Sequence, residues 1–258
     1  MASKVTRDYE KFDGDLYVKT YYSQKAGCQK EWDLMSFFLK GINDVFKSGD
    51  IKGTNLLDIG TGPTIHSVIS AVQYVQNIYL SDYTKTNRNI LQEWVEGKRD
   101  DGKEICKYYL QMESSSQTVE ERFTDIRQKV RSVHTIDVTK WPMIADDIPS
   151  PDIIVSSLCF GSALGSLEEY KGIAKKLNQL LPTGGHLVVA GVLDETFYKV
   201  GDVRFYCLKI NEYEVKEAYT NNGFDIKIWK EFIPPPRSTE EAEFCDFQKG
   251  FVMYARKL

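Results

Sequence analysis

The stretch that most constrains this chain is Asn55-Leu56-Leu57-Asp58-Ile59-Gly60-Thr61-Gly62-Pro63-Thr64. A short apolar run ends in a carboxylate and then meets two glycines in three residues. Ile65 to Val72 follows with apolar spacing. The pattern predicts a strand, a tight glycine turn and a helix. Glycine is needed where the chain turns sharply and offers bare backbone to a ligand. A helix start there would present unpaired N–H groups and attract an anionic group.

Dinucleotide enzymes place a third glycine three residues after the second. Here that place is Ile65, so the dinucleotide fingerprint is incomplete. S-adenosylmethionine, with an amino-acid tail and an adenosine body, fits better. Asp58 suits its charged amino end. Ile78 to Asp82 reads as a second strand ending in an acid, at the distance expected for a carboxylate that holds ribose hydroxyls. Ser132 to Val138 reads as a third strand, with Asp137 near its end. Three such acids on one edge of a parallel sheet outline an adenosine-shaped crevice. The competing reading is plain: strand-end aspartates often only cap helices.

The chain has 258 residues, with 33 basic and 37 acidic side chains and a net charge of −4. A nucleic-acid partner usually needs a basic face, which this balance does not favour. No apolar run reaches membrane-spanning length, and Met1 to Glu10 lacks an apolar signal core. The five cysteines (28, 106, 159, 207, 245) are scattered with no Cys-x-x-Cys. That pattern fits reduced thiols in a cytoplasmic protein rather than a disulfide scaffold or zinc site. The three histidines are far apart, so no metal site is expected.

Strands alternate with helices along the chain, which predicts one doubly wound α/β domain over 1–258. Helices are expected at Glu31 to Phe46, Thr84 to Glu96, Val119 to Val130, Ser166 to Leu181 and Asn211 to Asn222. Residues 97–118 read as a variable loop. Asp152 to Leu158 and His186 to Leu193 read as buried strands, and Phe224 to Phe232 with Gly250 to Arg256 as an antiparallel edge hairpin. Residues 1–50 would form a lid and cover helices ahead of the sheet. Tyr9, Phe12, Tyr17, Tyr21 and Tyr22 crowd its start; they either close over a site or simply pack an added helix.

From about Tyr17 to the end, these motifs resemble one family. It is the small-molecule N-methyltransferases that include the nicotinamide, indolethylamine and phenylethanolamine enzymes. The resemblance is carried by Leu57 to Thr64, by Ser81-Asp82-Tyr83 with Asn87-Arg88, and by Ile136-Asp137-Val138. Leu181 to Leu187 and Ala255-Arg256-Lys257 extend it. It implies a class I Rossmann-like methyltransferase fold: a seven-stranded, mostly parallel sheet with a reversed last strand, plus N-terminal cover helices. It also implies S-adenosyl-L-methionine as donor, with S-adenosyl-L-homocysteine as product. The implied donor residues are Tyr17, Tyr22, Gly60, Thr61, Gly62, Asp82, Asn87, Asp137, Val138 and Ser157. His66 stands where the family has a tyrosine.

On the acceptor side, the nicotinamide enzyme carries an aspartate where this chain has Gly191. The stretch Gly191 to Tyr198 looks more like the phenylethanolamine enzyme, and implies Glu195 and Asp246 as amine-binding, catalytic acids. A third acid of that site is replaced by Gly161. The resemblance implies Tyr198 as a pocket residue, and Tyr22, Phe160 and Phe197 are the further aromatics expected to enclose the substrate ring. Without the resemblance, Glu195 and Asp246 read as solvated acids. The expected protein is a monomeric, cytoplasmic enzyme that methylates a small aromatic alkylamine, with no metal, nucleic-acid or membrane partner. The alternatives are a nicotinamide or pyridine methyltransferase and an inactive donor-binding protein.

Overall fold

A computed structural model of the chain describes residues 5–22, 29–238 and 241–258. In chain order the elements are β1 (Val5–Thr6), α1 (Gly14–Tyr21), α2 (Gln29–Lys47), β2 (Asn55–Ile59), β3 (Asn77–Asp82) and α3 (Lys85–Val95). Next come α4 (Lys103–Glu113), α5 (Val119–Lys129), β4 (Val130–Thr135), β5 (Ile153–Ser157), α6 (Phe160–Ala163) and α7 (Leu167–Leu180). The chain ends with β6 (His186–Leu193), β7 (Phe197–Val200), β8 (Val203–Tyr206), α8 (Glu212–Thr220), β9 (Phe224–Phe232) and β10 (Lys249–Lys257).

Seven strands form the main sheet in the order β4-β3-β2-β5-β6-β10-β9. The β2, β3, β4, β5 and β6 pairings are parallel, and β10 runs antiparallel to both β6 and β9. This is the expected sheet with its reversed last strand. Period-two alternation explains why both faces are covered. Leu56, Ile78, Leu80, Val155 and Val188 feed one core with α2 to α5. Their neighbours Leu57, Tyr79, Ile154, Leu187 and Val189 feed the other core with α7 and α8. Thr84 caps α3 by accepting from the Asn87 N–H, and Ser166 and Asn211 cap α7 and α8 in the same way.

The strand order reverses between β2 and β5. In open α/β sheets the crevice beyond the carboxyl ends at such a switch point is where ligands bind. The chain from Gly60 and the chain from Leu158 leave the sheet on either side of it.

Three expectations fail in informative ways. Ile65 to Val72 forms turns and a single short 3₁₀ turn at Ala71–Gln73, not an α-helix. The segment is buried all round and rich in β-branched residues and serine, which favour a helix poorly. Its free carbonyls are taken instead by cations from α5: Arg122 Nη1 donates to Ile69 O at 2.9 Å and Lys129 Nζ to Val72 O at 2.7 Å. Second, the loop expected over 97–118 contains α4, whose buried stripe is Ile105, Cys106, Tyr109 and Leu110. Charged residues around that short stripe hide it in the sequence. Third, β7 and β8 form an unexpected hairpin, turned at Gly201 with φ 58°. β1 joins it in parallel, giving a second sheet ordered β1-β8-β7. Smaller shifts occur at β4, which stops at Thr135 and leaves Asp137 in the following turn.

Cys106, Cys159, Cys207 and Cys245 are free thiols, and Cys28 lies outside the described residues. Among the described residues no helix is long and apolar enough to cross a membrane, and no His, Cys, Asp and Glu group is placed to hold a metal.

Candidate active site

A cavity of about 320 Å³ opens at the switch point. Its floor is the loop after β2. Gly60 and Gly62 have φ of 70° and 71°, a region that penalises any other residue. A Cβ at Gly60 would fall 2.3 Å from Cys159 Sγ, while a Cβ at Gly62 would meet nothing within 4 Å. Gly60 is thus required by packing against the chain beyond β5, and Gly62 leaves an open cradle.

Asp58, at the base of this loop, is fully buried. Ser67 Oγ donates to its Oδ2, while Oδ1 has no partner. Burial pushes this carboxyl up to about 7. Asp82 ends β3 and is more fully braced. Its Oδ1 accepts from Thr84 N at 2.8 Å, Thr84 Oγ1 at 3.0 Å and Asn87 Nδ2 at 3.1 Å. Its Oδ2 accepts from Gly62 N at 2.9 Å. Burial raises this carboxyl above its ordinary value, and these four donors oppose the shift. Asp137 is half-buried, which would raise it too. Hydrogen bonds from Thr139 and Lys140 outweigh that effect and hold it low.

Several buried polar atoms of residues lining the cavity have no protein partner: both His66 ring nitrogens, Asn87 Oδ1 and Ser157 Oγ. Each unpaired buried group costs about 1–3 kcal/mol. A ligand carrying an ammonium, a carboxylate and hydroxyls would pair them, so these residues fit an S-adenosylmethionine-like molecule. His66, 2% exposed, is neutral because burial depresses its pKa to about 3.

The opposite end of the cavity is aromatic. Tyr17 lies 5.7 Å from Tyr22 and 6.3 Å from Tyr198, centroid to centroid, and Tyr22 lies 5.0 Å from His66. Two ties hold the N-terminal segment down. Tyr21 donates to Lys199 O at 2.7 Å, and Tyr9 donates to Ser162 O at 3.1 Å. Glu195 lies just before β7 and is 7% exposed. Burial raises the nearby Cys207 thiol, and the Glu195 charge and hydrogen bond raise it further.

The cavity wall contains Tyr17, Tyr22, Gly60, Thr61, Gly62, Asp82, Asn87, Asp137, Val138, Ser157, Tyr198 and Glu195 together. Four candidates stand outside it, the first being Asp58, closed off beneath the glycine loop. Phe160 is buried in the α7–α8 core. Phe197 lies under the Arg204 guanidinium at 4.4 Å. Asp246 faces the backbone instead: its Oδ1 accepts from Thr196 N at 2.7 Å and Phe197 N at 3.3 Å, and its Oδ2 from Thr196 Oγ1 at 2.5 Å. It clamps the turn that carries Glu195.

Sequence reasoning missed Arg7, Met35, Cys245 and Phe247, which also line the cavity. Met35 was legible only as part of an apolar stripe. Nothing local marks Cys245 or Phe247. The Gly201-Asp202 pair between apolar residues was the signal for the hairpin that brings Arg7 in.

The model of the NNMT/PNMT/TEMT family matches residues 2–258. Indolethylamine N-methyltransferase of Oryctolagus cuniculus is 32% identical over 214 residues, covering 82% of this chain and 81% of the relative. Nicotinamide N-methyltransferase of Homo sapiens is 30% identical over 246 residues, covering 94% and 91%. Among solved structures, magnesium protoporphyrin IX methyltransferase of Synechocystis, with bound S-adenosylmethionine, superposes with a TM-score of 0.57 at 14% identity. It covers 98% of this chain and 95% of that one, a likeness of fold alone. The chain belongs to the NNMT/PNMT/TEMT family of S-adenosylmethionine-dependent small-molecule N-methyltransferases.

Proposed function

We propose that the protein methylates the nitrogen of a small arylalkylamine, with Glu195 meeting that nitrogen. The observation that carries this reading is a buried carboxylate in the aromatic end of the cavity, across from the glycine loop. In this reading Gly60, Thr61, Gly62 and Ser157 hold the amino-acid end of the donor, with Asp58 bracing the loop from below, while Asp82, Asn87, Asp137 and Val138 hold its nucleoside. Tyr17 and Tyr22 close over it. When bound, the donor's sulfonium supplies an already activated methyl group.

What the protein must add is placement. Holding the amine lone pair in line with the methyl–sulfur bond supplies roughly 7–11 kcal/mol of barrier reduction. Alkylamines are mostly protonated near neutral pH and cannot attack in that form. Glu195 binds the ammonium and accepts its proton, directly or through water. Its attraction for the cation strengthens as the aromatic walls exclude water. Asp246 acts one step back, fixing Thr196 and Phe197 and therefore the turn that aims Glu195.

A pyridine acceptor needs neither an ammonium anchor nor a base, so it leaves Glu195 without work. The space at Gly191 also argues for the amine: an added Cβ would fall 2.9 Å from the Phe251 ring, itself stacked on Trp229 at 4.8 Å. An aspartate there would collide. The test is to incubate the protein with labelled S-adenosylmethionine and a panel of arylalkylamines and pyridines, reading products by mass. Methylated nicotinamide without any methylated amine would overturn the proposal.

A further inference from the structure

We infer that the acceptor is bipolar. Beyond its amine it carries an anionic group, carboxylate or phosphate, on the far side of its ring, and Arg7 binds that group. The inference rests on the reading of Glu195 as the amine's partner.

It begins with the charges of the cavity wall. Asp82, Asp137 and Glu195 are its acids, and Arg7 is its one permanently cationic side chain among the described residues. With donor in place, Asp82 and Asp137 face the nucleoside. The acceptor half is left with Glu195 and Arg7. A simple phenylethylamine answers the first and not the second.

Arg7 is also placed rather than loose. β1 pairs in parallel with β8, Val5 opposite Arg204 and Thr6 opposite Phe205. The next residue, Arg7, therefore stands over Tyr206, its guanidinium carbon 3.8 Å from the ring centroid. Across from it the chain has no side chain: a Cβ at Gly165 would fall 2.4 Å from Arg7 Nη1. The nearby Glu169 carboxylate is turned to the Gly165 N–H. Tyr206 covers one face of the guanidinium and Gly165 lies off its Nη1–Nη2 end, so the Nε–Nη side is the edge left to grip carboxylate or phosphate in a two-point fork. Two arginines elsewhere are neutralised by carboxylates, Arg122 by Glu113 at 2.7 Å and Arg99 by Asp15 and Asp101. Arg7 makes no ion pair with any described residue.

The hairpin register sets the geometry. Phe197 pairs with Tyr206, so Glu195 lies two residues along β7's line from the strand position beside Arg7's ring. At about 3.3 Å per residue and about 4.8 Å per strand, the two backbones are on the order of 10 Å apart. That spacing is about the length of one aromatic ring with a short alkylamine.

Matched acceptors test this. Kinetics with saturating donor would compare 4-(2-aminoethyl)benzoate, its uncharged benzamide and tyramine phosphate. Calorimetry would measure binding of the same three to protein saturated with S-adenosylhomocysteine. Because Arg7 is exposed at the mouth, the anionic acceptors should gain about fivefold in kcat/KM and affinity over the benzamide. That gain should shrink in high salt, fall to near unity in Arg7→Gln and survive in part in Arg7→Lys. The larger gain of the two anions identifies the group. Equal handling of charged and uncharged acceptors by the wild-type protein overturns the inference, as does a preference that persists in Arg7→Gln. Methylation of phenylethylamine without an anionic preference sinks only this inference. No methylation of any amine sinks the amine reading with it.

Discussion

The backbone N–H of Gly62 donates to the Asp82 carboxylate at 2.9 Å, tying the crest of the glycine loop to the end of β3. The same carboxylate caps the chain at Thr84 and orients Asn87. Asp82 therefore shapes the glycine loop before any ligand arrives, and in the proposed reading its Oδ2 also accepts from a ribose hydroxyl.

Asp82→Ala should weaken binding of S-adenosylhomocysteine at least tenfold by calorimetry. It should also lower stability by about 1–3 kcal/mol, because buried donors lose their acceptor. Unchanged affinity would remove Asp82 from the donor site.

Glu195→Gln keeps shape and loses both charge and proton acceptor. Its kcat/KM for arylalkylamines should fall by roughly 10²-fold or more, within the range of general-base catalysis. Affinity for S-adenosylhomocysteine should change less than about twofold. A Gln variant with full amine turnover would strip Glu195 of its role.

Asp246 offers a sharper contrast. If it fixes the Glu195 turn by accepting from Thr196 and Phe197, Asp246→Asn can still accept through its amide oxygen. Asp246→Ala should lose about tenfold or more in kcat, with Asp246→Asn recovering most of it. Equal losses in both variants would instead mean that its charge touches the amine.

The Asp58 carboxyl titrates near 7 in the folded protein, from burial, and near about 4 when unfolded. Between those values the folded state holds a proton the unfolded state has released, so stability falls as pH rises through that window. His66 acts oppositely: depressed to about 3, it adds stability as pH rises from about 3 to about 6.5. The two slopes overlap, so the informative quantity is the difference between Asp58→Asn and wild type. Chemical denaturation of the donor-free protein should show that difference growing in favour of Asp58→Asn from pH 4 to pH 7, by at most roughly 4 kcal/mol. A flat difference would mean Asp58 is ionised throughout.

Strand-forming residues around the switch point were legible because both faces of the sheet are buried, leaving nearly unbroken apolar runs such as Ile153 to Val155. The glycine loop was legible because Gly60 and Gly62 adopt conformations other residues avoid. Local pattern failed where tertiary partners decide. Ile65 to Val72 has helical spacing, yet its carbonyls are claimed by Arg122 and Lys129 from a distant helix. The acceptor end was least legible. Phe160 and Phe197 looked like ring-enclosing aromatics but point into a core and under an arginine, while Phe247 and Arg7 reach the cavity through contacts far apart in sequence.

The pairing of β1 with β8 gives the first residues a duty separate from ligand capture. β8 sits in the middle of its small sheet only because Val5 and Thr6 cover one side. Shortening the chain past residue 8 would leave the backbone groups at Arg204 and Phe205 open along an apolar margin. Such bare margins invite pairing with another copy of the same chain. A trimmed protein would therefore meet its first difficulty in staying dispersed at high concentration, before any defect in turnover was measured.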